Sequence, residues 1–145
     1  MRVAIVGAGG LGGVYGGLLA RAGLDVTFIA RGRNLAALRE HGLSLKRVSG
    51  EELRLPVRAT DAPRVVGPVD LVWFCVKTYD LEDAARHARP LVGPGTMALP
   101  IQNGVEAPDQ LADILGREHV LGGVGRAGGT QVAPGRVEEK SKQAA

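Results

Sequence analysis

The chain has 145 residues, about the length of one domain, and its 45% hydrophobic and 23% charged residues are ordinary globular proportions that exclude a wholly disordered chain. A net charge of +3, with arginines scattered along the sequence, leaves no basic stripe of the kind that holds nucleic acid. The single cysteine, Cys75, builds neither a disulfide framework nor a metal site and fits a reducing cytoplasm, and no apolar run approaches the ~20 residues of a membrane span.

RVAIVG, residues 2–7, is a short β-branched run ending in glycine. LGGVYGGLLARAG then switches to helical spacing, with Leu11, Val14, Tyr15, Leu18 and Leu19 on one side, which predicts strand, turn and helix. Met1 and Arg2 ahead of this block imitate a secretory signal, but the glycines between Gly7 and Gly17 would weaken any hydrophobic helix there. Gly23 closes the helix, and DVTFIA (25–30) predicts a second strand. NLAALREHG (34–42) reads as a short helix. LSLKRV (43–48) and ELRLPVRA (52–59) alternate apolar and polar residues as a half-buried hairpin would. DLVWFCVK (70–77) is a continuous apolar run of the kind covered on both faces, with Cys75 as a small core filler.

The spacing next predicts a helix over DLEDAARHARPLVG (80–93), with Asp80 as its N-cap. TMALPIQNG (96–104), VEAPDQLADILG (105–116) and HVLGGVG (119–125) predict strand, helix and strand. Beyond Arg126 the pattern weakens: TQVAPGRV (130–137) can open a hairpin, and EEKSKQAA (138–145) is a polar tail expected to be disordered. Alternation of strand and helix over residues 1–137 argues for an α/β domain with a doubly wound, mainly parallel sheet. Right-handed crossovers then put every strand's carboxyl end on one rim, where ligands bind.

Glycine is the compositional outlier, 22 of 145 residues, roughly twice the usual share. Gly7-Ala8-Gly9-Gly10-Leu11-Gly12 is a G-x-G-x-x-G motif that follows a strand and opens a helix, the setting in which it binds a dinucleotide. Gly7 permits the tight turn, Gly9 lets the backbone approach a pyrophosphate, and Gly12 allows close packing of helix on strand. At the end of the second strand, where an NAD site offers an acid to the ribose hydroxyls, the chain reads FIARGR, with Arg31 and Arg33. A guanidinium fork matches a phosphate, so the reading tilts to NADP(H), with Arg31 ahead of Arg33. Lys77 and Asn103 end two further strands on the same rim. Separately they are ordinary features, a solvated lysine and an Asn-Gly turn, but together they place a cation and an amide beside the expected nicotinamide end.

GAGGLGGVYGGLLARAGLDVTFIAR, VKTYDLEDAA and PIQNGVE resemble the amino-terminal, Rossmann-type domain of the ketopantoate reductase (2-dehydropantoate 2-reductase) family, a likeness running from Met1 to about Val137. The resemblance implies NADPH-dependent reduction of the 2-keto acid ketopantoate to pantoate, a cytoplasmic oxidoreductase step of pantothenate biosynthesis. It implies that the turn from Gly7 to Gly12, including Ala8, Gly10 and Leu11, binds the pyrophosphate and Arg31 the 2'-phosphate. Lys77 and Asn103 would line the nicotinamide and substrate side with catalytic roles, and Gly129 would touch the cofactor. The family's all-helical second domain, which supplies a proton-donating lysine, has no counterpart in these residues, so the expectation is a truncated product or a fragment, not catalytically competent alone, that a separately encoded helical domain could complete. Two alternatives stay open: another NADPH-dependent 2-keto acid or ketone reductase, and a non-catalytic dinucleotide-binding module.

Overall fold

The computed structural model describes residues 1–102, 106–123 and 128–140. Its centre is β1 (Arg2–Val6), whose burial alternates across two faces, with Val3 and Ile5 in one core and Ala4 and Val6 in the other. That two-sided burial is what a continuous apolar run in a parallel sheet requires. β2 (Asp25–Ile29) and β6 (Leu71–Phe74) flank β1 in parallel, so that Ile5 stands between Phe28 and Trp73. β5 (Arg58–Thr60) extends the sheet beyond β2 and β7 (Met97–Pro100) beyond β6, giving the order β5-β2-β1-β6-β7 with every pairing parallel. Helices cover both faces, and the fold is the Rossmann-like α/β architecture expected.

A second sheet was less visible in the sequence. β3 (Leu43–Lys46) pairs antiparallel with β4 (Glu52–Leu55), and β9 (Arg136–Glu139) returns from the far end of the chain to lie parallel to β3. β8 (Gly129–Ala133) completes it as the hairpin partner of β9, turning through Gly135 at φ 72°. The helix α1 (Gly10–Arg21) is therefore held between two sheets.

The packing of α1 corrects the expected leucine face. Leu11, Leu18 and Leu19 are only partly buried, whereas the fully covered positions are Gly12, Gly13, Val14, Gly16 and Gly17. A Cβ on Gly16 would meet the Phe28 ring at 2.5 Å, and one on Gly12 would collide with the Gly7 carbonyl, so these glycines face the parallel sheet. Added to Gly13, it would meet Val137 at 2.5 Å, and added to Gly17, Leu43 at 2.9 Å, so these face the second sheet. Most of the glycine excess in this helix thus lets two sheets approach one helix, a close-packing role separate from any ligand.

Local chemistry accounts for the other departures. ELRLPVRA divides at Pro56, which cannot continue the ladder, into β4 of the second sheet and β5 of the first. α2 spans Gly32–His41 and starts earlier than expected, with Arg31 as its extended N-cap residue. A one-turn α3 (Pro63–Val66) precedes β6. The helix predicted over 80–93 stops at α4 (Leu81–His87), followed by a 3-10 turn at Arg89–Leu91 where Pro90 removes a donor. Asp80 does precede α4, but its side chain makes no capping bond. After α5 (Ala107–Leu115), the expected strand 119–125 reduces among the described residues to one bridge, Val120 to Ala98.

Glu138 and Glu139, assigned above to a disordered tail, lie in β9 instead. Glu139 is 6% exposed and accepts from Arg47 Nε at 3.0 Å and from the Val48 N–H at 3.1 Å. Two donors left without an acceptor should make Glu139→Ala cost about 1–3 kcal/mol, measured as a loss of unfolding free energy in urea.

Candidate functional site

In the order β5-β2-β1-β6-β7 the chain winds one way from β1 to β2 and the other way from β6 to β7, so the switch point lies between β1 and β6. The crevice outside the carboxyl ends of those two strands is where doubly wound sheets bind ligands. Four strand exits converge on this edge: the glycine turn after β1, Arg31 after β2, the Cys75–Lys77 segment after β6 and Gln102 after β7.

The glycine turn is built from backbone constraints. Gly7 sits at φ 101°, a conformation L side chains rarely adopt, and its N–H donates to Ile29 O at 3.3 Å. A Cβ there would stand 2.9 Å from Val76 Cγ1 and 3.0 Å from the Cys75 carbonyl carbon, so the turn lies directly on the β6 exit. Ala8 is buried, and its carbonyl accepts from Asn34 Nδ2 at 3.0 Å, while Asn34 Oδ1 accepts from the Gly135 N–H at 2.7 Å. Asn34, in the first turn of α2, thereby ties the glycine turn to the β8–β9 hairpin. Sequence reasoning missed it, because a polar residue in the first turn of a helix carries no local mark of such a role.

Gly9 is different in kind. It is the N-cap of α1 without any side-chain cap, and a Cβ built on it would meet nothing nearer than Gln131 Oε1 at 3.8 Å. The space in front of this turn is open. The first turn of α1 contains no acidic residue, and the helix's first N–H groups point out of its N-terminus, an arrangement that suits an anion and fits the pyrophosphate of a dinucleotide. Gly10 and Gly129 press backbone to backbone, so the packing visible for Gly129 is of β8 against α1, with Leu11 half-buried beside it.

Cations mark the rim. Arg31 and Arg33 are exposed, and among the described residues neither guanidinium has a hydrogen-bond or ion-pair partner. Lys77 lies three residues past the end of β6 and caps the 3-10 turn Thr78–Asp80 through its carbonyl, which accepts from the Asp80 N–H at 2.9 Å. Its ammonium is exposed and likewise has no partner among the described residues. Asn103 and the following Gly104 lie outside the described residues. Burial pushes the Cys75 thiol up to about 12, so it stays protonated at neutral pH and offers no nucleophile. Among the described residues no cluster of histidine, cysteine and carboxylate could hold a metal ion, and no helix is long and apolar enough to cross a membrane.

Gln102 is the second residue that sequence reasoning passed over. Its Nε2 donates to Phe74 O at 3.0 Å and to Val76 O at 2.8 Å, joining the β7 exit to the β6 exit.

The family model described as ketopantoate reductase PanE/ApbA matches residues 3–145, and so extends past Val137 through the residues first set apart as a tail. A 2-dehydropantoate 2-reductase of Pyrococcus horikoshii is 34% identical over 142 residues, which cover 98% of this chain and 45% of that protein. The crystal structure of a PanE/ApbA family ketopantoate reductase from Ralstonia eutropha superposes with a TM-score of 0.91 at 38% identity, covering 97% of this chain and 47% of that one. A D-mandelate dehydrogenase solved with NADH and anilino(oxo)acetate superposes with a TM-score of 0.90 at 25% identity, over 97% of this chain and 46% of its own. The chain thus spans about half the length of the relatives it matches.

Proposed function

Because the chain belongs to the ketopantoate reductase PanE/ApbA family, we propose that it is the NADP(H)-binding domain of a 2-dehydropantoate 2-reductase. The observation that carries this reading is the open glycine turn at the N-terminus of α1 with two arginines following β2 that have no partner among the described residues. When bound, the reduced nicotinamide supplies the hydride that converts the ketone to an alcohol. The N–H groups from Gly9 to Gly12 hold the pyrophosphate, and the Arg31 fork holds the 2'-phosphate. Lys77 brings its positive charge to the nicotinamide side, where a 2-keto acid presents a carboxylate and a polarisable carbonyl. Asn103 orients the keto oxygen or the ribose through its amide. Gly129 supports the turn from behind and, by the family resemblance, stands near the cofactor. Protonation of the forming alkoxide falls, by the same resemblance, to a lysine of a helical second domain.

Reduction of another 2-keto acid is the second reading, and the likeness to D-mandelate dehydrogenase favours it. That neighbour was solved with NADH, so the architecture alone leaves the choice of cofactor to the residues after β2. Arg31→Ala tests this choice. Losing one charge-assisted hydrogen bond, worth about 1.5–3 kcal/mol, should raise the Kd for NADPH by roughly 10- to 150-fold and leave that for NADH unchanged. A variant that still prefers NADPH as strongly as the parent chain would remove Arg31 from the site.

A further inference from the structure

Gln102 stands at the exit of β7 and uses one amide group on two carbonyls of a neighbouring strand exit. Nε2 reaches Phe74 O at 3.0 Å and Val76 O at 2.8 Å, while Oε1 is buried with no hydrogen-bond partner among the described residues. The orientation is forced, because only the NH2 side can serve two acceptors. An orphaned buried oxygen is a cost that a methionine of similar volume would avoid, so packing alone does not explain a glutamine here. The two carbonyls belong to the segment that carries Lys77, and the middle of that segment is what Gly7 packs against. The Cys75 N–H also donates to Val6 O at 2.8 Å, which fastens the same segment to the β1 exit. Gln102, the Cys75–Lys77 segment and the glycine turn therefore form one stack across the switch point, and among the described residues Gln102 is the side chain that fastens this stack from its β7 side.

The geometry points to Gln102 as a positioning residue that sets the placement of the Cys75–Lys77 segment and, through it, the affinity of the site for the nicotinamide half of a dinucleotide. This rests on the dinucleotide reading above. It differs from that reading in where the effect falls. On that reading the adenine and the 2'-phosphate lie on the other side of the switch point, at the exit of β2, to which Gln102 makes no hydrogen bond among the described residues.

The test compares the unmutated chain with Gln102→Glu and Gln102→Met, using two ligands in calorimetry: NADPH, and adenosine 2',5'-bisphosphate, which carries the adenine and the 2'-phosphate but no nicotinamide. Gln102→Glu points a carboxylate at two carbonyls and should weaken NADPH by about tenfold or more. Gln102→Met removes both donors without adding a charge and should weaken it measurably but less. Both variants should bind the bisphosphate as the parent does, a selectivity that a general loss of structure would not produce. If the glutamate variant fails to fold, the methionine variant decides alone. Unchanged NADPH affinity in the folded variants, or equal weakening of both ligands by Gln102→Met, overturns the assignment. An unmutated chain that binds neither ligand overturns the dinucleotide reading itself, and this one with it.

Discussion

Gly9→Val is expected to abolish dinucleotide binding while leaving the protein folded. The residue sits at φ −82° and ψ −148°, outside the left-handed region that demands glycine though off the regular helical and extended regions, and a Cβ added there finds open space up to Gln131 Oε1 at 3.8 Å. A branched side chain in that space stands where a pyrophosphate needs bare backbone, and the helix N–H groups lose their access to the anion. The neighbouring motif glycine should behave in the opposite way. Gly12→Ala drives a methyl group into the Gly7 carbonyl, a backbone group that cannot swing aside, and should cost about 1–3 kcal/mol of stability whatever it does to the ligand. Thermal melts and calorimetric titration of the two variants separate the effects. Normal binding by a folded Gly9→Val would reduce the motif to a structural turn.

The second large effect concerns turnover. Purified alone, the 145-residue chain is expected to reduce ketopantoate at least about 10²–10⁴-fold more slowly than a full-length relative, even at saturating NADPH. Hydride delivery to a ketone leaves an alkoxide, and a positioned proton donor contributes that factor to its formation. The rim offers Lys77 as an exposed cation, and among the described residues nothing pairs with it, covers it or holds a substrate in near-attack geometry. Loss of NADPH absorbance in the presence of ketopantoate measures the rate. Robust turnover by this chain would move the acid's role into it, with Lys77 as the first residue to substitute.

The strand, glycine turn and helix from Arg2 to Arg21 were legible because a short β-branched run gives way to apolar residues at helical spacing across a glycine cluster with a known geometric purpose. The same cluster misled on packing. Leucines at helical spacing suggested the buried face, but the second sheet that covers Gly13 and Gly17 includes β9, which joins β3 across about ninety residues of chain. Nothing local in either strand announces a parallel partner so remote. Glu139 was read as tail for the same reason: an acid at a chain end looks solvated until Arg47 is brought to it by the fold. Within the site, residues with a chemical signature were readable, and Arg31 and Lys77 stand on the expected edge. Asn34 and Gln102 were not, since each works by bonding to backbone groups of distant segments, and an amide aimed at a carbonyl leaves no spacing pattern in the sequence.

Titration of the unmutated chain with NADPH and with NADH, by calorimetry and by the fluorescence of its one tryptophan, Trp73, tests the central claim most directly. Trp73 lies on β6, the strand that leads to the Lys77 segment, and stacks on Tyr15 of α1 at 4.5 Å between ring centroids, so ligand at the switch point is read where the two elements meet. Saturable binding of both, tighter for NADPH by roughly tenfold or more, is the predicted result. Equal affinities would contradict the assignment of Arg31 to a 2'-phosphate, and failure to bind either dinucleotide would contradict the account as a whole.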